Sequence, residues 1–499
     1  MNGARASLIA VTLCRLLIPD HHAADGERHP GSRRRAVAAR QAIEGLGPLY
    51  IKVGQILSTR PDLVSAATTE ELATLHDRVP VAPFEGFEWV LENELGTEWR
   101  EQFRHFDAER PLGSASLAQV YRATTRDGRP VAVKVQRPGV RAVVEADMAT
   151  LRHAARWSAR LWPKFNAVVD LRAMLALVFE AMHGELDFTV EARHMENGRR
   201  AVQGFDHLTV PEVVKATPRV LVQDLAPGRS IREVERDEFS RPERLAIAHD
   251  LMAFMYRGYF VDRTFHADPH PGNVFVAPGH PAALIDWGMV GRLDRPTSLR
   301  LALTLINIVQ NDGDGAAKAW IEMGKPTSWA DISGFTSDVA ALVPRVATAT
   351  LEELDFGLTL TTVLRHSTSR GIKTSPVVPL LGKSFANMEG SIRCLAPELS
   401  AAEVFREELA TIMVDLACEA LSETQVARVV TELLLTANGS YNQARGILRD
   451  LADRELSLPL ESKGAPVTTS LLTRLALLAI TVFGIGYVRR ATTSRNNGD

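Results

Sequence analysis

His266-Ala267-Asp268-Pro269-His270-Pro271-Gly272-Asn273, followed by Leu284-Ile285-Asp286-Trp287-Gly288, is the most distinctive run of polar residues in the chain. A carboxylate, Asp268, stands five residues ahead of an amide, Asn273, and a second carboxylate, Asp286, closes a short apolar run. Phosphoryl transfer needs a carboxylate near the attacking oxygen, for which Asp268 is the candidate, and oxygen ligands for a Mg²⁺ ion bridging the phosphates. Asn273 and Asp286 supply such oxygens, and a hard ion prefers them to nitrogen or sulfur donors. Two plainer readings stand beside this one: Asp-x-His-Pro as a simple turn, and His266, Asp268 and His270 as ligands of a transition metal.

In order and spacing, the two loops match the catalytic and metal-binding loops of protein kinases. Upstream residues supply the other parts. Val131-Ala132-Val133-Lys134 lies on the second strand of an expected hairpin, 117–124 and 130–136, turned at Asp127-Gly128. Period-two alternation puts Ala132 and Lys134 on one face and Val131 and Val133 on the other. A lysine on an inner sheet face needs an anion; a solvated strand lysine is the alternative. Gly113-Ser114-Ala115-Ser116 sits where a phosphate loop would lie, its small side chains allowing backbone N–H groups to approach an anion. With one glycine this loop is expected to be stiff, and an ordinary strand entry explains it equally. Glu185, Asp187 and Glu191 fall in a helical stretch, where Glu191 can pair with Lys134 or all three can be solvated. Gln223, within Val222-Gln223-Asp224-Leu225, falls where a linker would meet adenine through its backbone. Lys52 and Gln55 are three apart on one helical face, so they can reach one target or simply face water.

Composition narrows the class. The 499 residues carry 57 Lys plus Arg against 60 Asp plus Glu, a net charge of −3, with 45% hydrophobic residues. Such a chain buries a sizeable core and has no whole-protein field to attract nucleic acid. Cys14, Cys394 and Cys418 lie far apart, without CxxC spacing, which fits a reducing compartment. The pattern predicts helices over 47–95, the hairpin, helices again over 143–203, short strands at 219–224, 274–277 and 283–285, and almost continuous helix from 296 to about 451. It divides the chain into an apolar and basic segment (1–39), a helical extension (40–105), a β-rich lobe with a helical insert (106–225), a helical lobe (226–455), and a linker with an apolar helix (456–499). The apolar stretch at 475–488, flanked by Arg474, Arg489 and Arg490, is marginal against the roughly 20 residues a membrane span requires. It reads as membrane attachment or as a buried terminal helix. A second apolar stretch, 8–18, broken by Arg15, reads as an interfacial or docking helix, with a signal peptide as the alternative.

One further motif runs Gly47-Pro48-Leu49-Tyr50-Ile51-Lys52-Val53-Gly54-Gln55-Ile56-Leu57-Ser58-Thr59-Arg60-Pro61-Asp62-Leu63. With it, the chain resembles the UbiB/AarF/ADCK atypical protein-kinase-like family, whose KxGQ signature this looks like. The loop at Gly113 to Ser116, the ExD motif at Glu185 and Asp187, Met388-Glu389-Gly390 and Leu395-Ala396-Pro397 carry the resemblance over about residues 40–400. It implies an α+β, two-lobed protein-kinase-like fold: a small β-rich N-lobe, a large helical C-lobe and a helical extension over the site, with Lys52 facing the nucleotide pocket where Glu185 can bind it. It also implies ATP binding, ATPase or atypical kinase activity, and a role in isoprenoid quinone biosynthesis at a membrane. The acceptor would be a quinone precursor or another isoprenoid lipid, a biosynthetic protein complex a possible partner, and the catalytic body would face the cytoplasm. The chain departs from the pattern in having no Ala-Pro-Glu at activation-loop distance after Asp286, the chain passing from Gly291 through Pro296 almost directly into helix, and in starting its loop with Gly113-Ser114, where many relatives carry alanines. A nucleotide-binding scaffold without turnover and a small-molecule phosphotransferase are the competing functions.

Overall fold

Three helices come first and bury their apolar faces in one hydrophobic cluster that later helices complete. They are α1 (Pro30–Leu46), α2 (Pro48–Leu57) and α3 (Ala66–Ala73). Pro48 begins α2 at a position that needs no N–H donor, and Ser65 caps α3 by accepting the Thr68 N–H. This computed structural model describes residues 30–58, 60, 63–75, 79–161, 171–346, 356–375 and 377–420. The apolar stretches at 8–18 and 475–488, and the linker before the second, lie outside the described residues. Among the described residues no helix is long and apolar enough to cross a membrane.

Helix α4 (Glu85–Leu95) then leads into an antiparallel sheet. Its strands are β1 (Phe103–Phe106), β2 (Gly113–Ser114), β3 (Ala118–Thr125) and β4 (Pro130–Gln136), with β6 (Val213–Ala216) and β7 (Val220–Asp224) joining after a helical insert. Their order is β1-β3-β4-β7-β6, with β2 paired to β3. The β3–β4 turn falls at Asp127-Gly128, where Gly128 takes φ 90°. Val131, Val133 and Val135 are buried with Phe87, Val90 and Leu91 of α4, each such side chain contributing roughly 1.5–3 kcal/mol. Ala132 and Lys134 therefore point the other way, as alternation requires. The expected continuous helical pattern over 47–95 is three helices separated by loops, and the 105/106 boundary falls inside β1.

The insert comprises α5 (Val140–Leu161), α6 (Leu171–Glu185) and α7 (Phe188–Ala201). Val144, Met148, Val178 and Met182 of α5 and α6 share one hydrophobic cluster with Tyr50, Ile51 and Ile56 of α2. The KxGQ helix thus packs on the insert.

In the second lobe, β5 (Leu208–Thr209), β8 (Arg229–Ser230), β10 (Val274–Val276) and β11 (Ala282–Leu284) form a small sheet. Helix α8 (Arg241–Phe260) is buried along most of its length, from Ile247 to Phe260, so it is the lobe's axis. Strands β9 (Thr264–His266) and β12 (Val290–Arg292) pair antiparallel, and β10 pairs with β11. The two chemistry-bearing loops are therefore held at both ends by strand pairs. Helices α9 (Arg295–Val309), α10 (Gly313–Met323), α11 (Ile332–Val346), α12 (Phe356–Ser369), α13 (Val377–Leu395) and α14 (Ala401–Ala420) complete the lobe. A two-stranded ladder, β13 (Lys325–Pro326) with β14 (Ile372–Lys373), interrupts the helical run expected from 296.

Candidate active site

Strand β4 carries Lys134 to the face opposite the valines, and α7 brings Glu191 beneath it. The Lys134 ammonium donates to both Glu191 carboxylate oxygens at 2.9 Å and to Asp286 Oδ1 at 3.1 Å. Three residues from far-apart elements thus meet at one nitrogen. Asp286 has φ 59°, in the left-handed region, and its side chain is half exposed. Trp287, next to it, turns inward against Gly198 of α7: a Cβ on Gly198 would lie 2.6 Å from the indole, so only glycine admits the ring there. His194 Nδ1 meets the Trp287 carbonyl at 3.0 Å and ties the Asp286 loop to α7.

The charges are strongly coupled. Lys134 holds Asp286 below the usual carboxylate range. Burial opposes the Lys134 charge, yet Asp286 and Glu191 raise its pKa well above the ordinary lysine value. Burial pushes Glu191 up to about 7, against the pull of Lys134, with Asp286 and Glu185 adding to the push. Because folding raises Glu191 above 4.5, this group binds more protons folded than unfolded between those values and withdraws stability as pH rises through them. The ion pair itself needs the carboxylate. Affinity for a magnesium nucleotide is therefore expected to weaken below pH 7, by up to about tenfold per unit, as Glu191 takes a proton and leaves Lys134 to Asp286 alone, no longer held in place for the phosphates. Titration calorimetry over pH 5.5–8 checks this: the limb belongs to wild type and should vanish in Glu191→Gln.

The loop at 266–273 is built on hydrogen bonds to its own backbone. The Asp268 N–H donates to His266 Nδ1 at 3.1 Å, so the other ring nitrogen carries the proton and donates to the Ile285 carbonyl at 3.1 Å. Burial lowers the His266 pKa and keeps the ring neutral. His270 Nδ1 accepts the Gly272 N–H at 3.0 Å. Both His266 nitrogens are committed, which removes the transition-metal reading of His266, Asp268 and His270. Asn273 Nδ2 donates to the Asp268 carbonyl at 3.0 Å, and the Ile285 N–H donates to the Asn273 carbonyl at 3.0 Å, coupling the two loops. The amide orientation leaves Asn273 Oδ1 available as a ligand. An amide oxygen and a half-exposed carboxylate, on two loops joined by that Ile285–Asn273 hydrogen bond, are donor types that fit Mg²⁺.

Lys52, on α2, is buried and ion-paired with Glu185 at the end of α6. A Cβ on Gly288 would lie 3.3 Å from Glu185 Cγ, 3.5 Å from Asp286 Oδ1 and 4.0 Å from Glu191 Oε2, so these three acidic side chains surround that glycine. Gln55 does not share the target of Lys52: its Nε2 donates to the Leu75 carbonyl at 3.4 Å. Asp187 caps α7, its Oδ1 accepting the Thr189 N–H at 3.0 Å and the Thr189 hydroxyl at 2.7 Å. Gly113 to Ser116 form a tight β2–β3 connection pinned by Arg137, which donates to the Ala115 carbonyl and to Ser114 Oγ, both at 2.7 Å. Gln223 lies on β7 in register with Ala132, and the neighbouring Asp224 carboxylate is taken by Arg129.

Sequence reasoning singled out Met388-Glu389-Gly390 on α13 but missed the side chains of that helix that reach Asp268. Helix α13 lies along the loop: Lys383 Nζ meets Asp268 Oδ2 at 2.9 Å, Asn387 Nδ2 donates to Asp268 Oδ1 at 2.6 Å, and Ser384 and Ser391 donate to the His266 and Pro269 carbonyls at 2.6 and 2.8 Å. The available signal was a polar stripe at 383, 384, 387 and 391 on a helix otherwise rich in buried apolar residues. Burial pushes Asp268 up, but Lys383, His270 and Lys52 outweigh it and leave the carboxyl below its ordinary range.

A small antiparallel sheet with a Lys–Glu pair, joined to a helical lobe bearing paired acidic loops, defines an atypical kinase-like protein. Comparison with known proteins agrees. The model of the ABC1 atypical kinase-like domain matches residues 74–320. The chain is 34% identical over 378 residues to "Probable protein kinase UbiB" of Cellvibrio japonicus, covering 73% of this chain and 67% of that one. It is 32% identical over 396 residues to the protein of the same name from Pseudomonas entomophila, covering 76% and 72%. The chain belongs to the UbiB/AarF/ADCK family. Among solved structures it is similar to the Rv3197–erythromycin complex from Mycobacterium tuberculosis, at 22% identity and TM-score 0.47 over 71% of this chain and 90% of that one. It is also similar to a Rio2 kinase–ADP/Mg²⁺–phosphoaspartate complex from Chaetomium thermophilum, at 14% and 0.26 over 52% and 77%.

Proposed function

We propose that this protein is an ATP- and Mg²⁺-dependent phosphotransferase or ATPase that supports isoprenoid quinone, ubiquinone-type, or related lipid biosynthesis at a membrane, its catalytic body on the cytoplasmic side. The observation that carries the reading is the convergence of Glu191 and Asp286 on Lys134. Lys134, held by Glu191, orients the phosphates. Asn273 and Asp286 hold the magnesium, which neutralises phosphate charge when bound. Asp268 orients the attacking hydroxyl. Gly113 to Ser116 cover the phosphates, and the paired Ala132 and Gln223 of β4 and β7 border the adenine. The names borne by the relatives support a kinase, and the quinone setting rests on the family resemblance; ATP, the isoprenoid acceptor and a biosynthetic complex are the partners it implies.

Glu185, Glu191, Asp268 and Asp286 face three lysines, 52, 134 and 383, so with all of them ionised the site carries one net negative charge and repels a bare triphosphate. The divalent ion reverses that balance. The buried Lys52–Glu185 pair favours a second reading, a nucleotide-binding scaffold without turnover. Phosphate release by the purified full chain, with lipid vesicles present, separates the two. Wild type is expected to hydrolyse ATP only with Mg²⁺ and Lys134→Ala to fall to the blank. Equal rates for both proteins above the blank reject the assignment, and nucleotide binding without phosphate release leaves the scaffold.

A further inference from the structure

Helix α13 carries a group that the reading above leaves unused. We infer that Lys383 is a catalytic residue at the acceptor end of the site, its ammonium shared between Asp268 and the phosphoryl group in transfer, and that Asn387 is the positioning residue that fixes the Asp268 carboxylate. The inference rests on the ATP reading.

Lys383 is 13% exposed and Asp268 18%, so both charges are largely withdrawn from water. A pair in that position is poor value for stability, because apolar residues of similar size usually serve as well. The two partners divide the carboxylate: Asn387 donates to Oδ1 at 2.6 Å and Lys383 meets Oδ2 at 2.9 Å, so the amide alone fixes one oxygen. An ammonium has three donors, and among the described residues the partner of Lys383 is Asp268 Oδ2, which leaves donors for an incoming oxyanion. The helix is fixed where that role requires. Ser384 and Ser391 clamp the carbonyls of His266 and Pro269, so the Lys383 backbone cannot drift from the loop. The other charged and titratable groups acting on Asp268 are His270 and Lys52, and burial holds His270 toward its neutral form. Lys134 is engaged at the opposite end by Glu191 and Asp286. Two cations therefore bracket the nucleotide, with Lys383 beside the carboxylate that meets the acceptor.

In the step itself, the bond from the γ-phosphorus to the β,γ-bridging oxygen breaks and ADP leaves with its electron pair. A lone pair on the acceptor oxygen, from water or a substrate hydroxyl, forms the new P–O bond, and its proton passes to Asp268 and then to solvent. Lys383 neutralises the equatorial oxygens while this happens, as a preorganised donor does best in a water-poor site.

The test compares wild type with Lys383→Met, Lys383→Gln and Lys383→Arg in the full chain, reading kcat, KM and the affinities for magnesium ADP and a non-hydrolysable magnesium ATP analogue. Loss of the ammonium is expected to lower kcat by about 10²-fold. It should weaken the triphosphate analogue while leaving the diphosphate unchanged, and arginine should restore part of the rate. In wild type, acetic anhydride labelling of Lys383 should be slowed by the triphosphate analogue and not by magnesium ADP, a readout independent of how the variants fold. Unchanged kcat in a folded Met or Gln variant, or equal protection by the two nucleotides, overturns the inference. A wild type that neither binds nor hydrolyses ATP defeats the underlying reading instead.

Discussion

Asp286→Asn is expected to lower magnesium-dependent ATP hydrolysis by roughly 10²–10³-fold while the protein stays folded. The substitution keeps the shape of the side chain and removes its charge. Lys134 then has one carboxylate, Glu191, in place of two, and the site loses its half-exposed anionic oxygen. The donor set is then two neutral amide oxygens with no carboxylate, too little charge to hold a strongly hydrated ion. The same change has a second consequence whose sign is fixed by the geometry. Asp286 is one of the charges that push Glu191 up, so its neutralisation lets Glu191 ionise at lower pH. The acid limb of nucleotide binding should move downward in Asp286→Asn, and calorimetric titrations across pH, run beside the rate assay, would show it.

Asp268→Ala is the second large effect. Turnover should fall by about 10²–10⁴-fold, the range typical of a lost acid–base group, with magnesium nucleotide affinity nearly retained because Lys134, Glu191 and Asp286 are untouched. Stability should fall too. Removing Asp268 strands the Lys383 ammonium in a largely buried place, which costs about 3–5 kcal/mol. The double variant Asp268→Ala/Lys383→Met leaves neither charge unpaired and should recover most of that loss without recovering turnover. Urea denaturation and steady-state rates on the four proteins of the cycle decide it, and additive stability losses would show that the pair is not coupled.

The parts of the fold legible in the sequence are those whose cause is local. The β3–β4 hairpin announces itself through Asp127-Gly128 and alternating valines, and the two acidic loops through residues a few positions apart. Edge strands were not legible: β1 and β6 are four residues long, and each carries a register irregularity that breaks a period-two pattern. Side-chain destinations failed where a tertiary partner competed. Gln55 shares a helix face with Lys52 yet serves the Leu75 carbonyl, and Asp187 finds the Thr189 N–H of the helix it precedes. The clamp on Asp268 lay beyond any spacing argument. Lys383 is 115 residues from its partner, and only the packing of α13 against the loop brings them together.

Lys134, Glu191, Asp268, Asn273 and Asp286 are proposed to surround one magnesium nucleotide. A crystal structure of the full chain with Mg²⁺ and a non-hydrolysable ATP analogue should show a metal bound by Asn273 Oδ1 and Asp286, Lys134 on the phosphates, and the terminal phosphate facing Asp268 and Lys383. A nucleotide seated elsewhere, or Asp268 and Asp286 opening toward separate cavities with no metal between them, would contradict it.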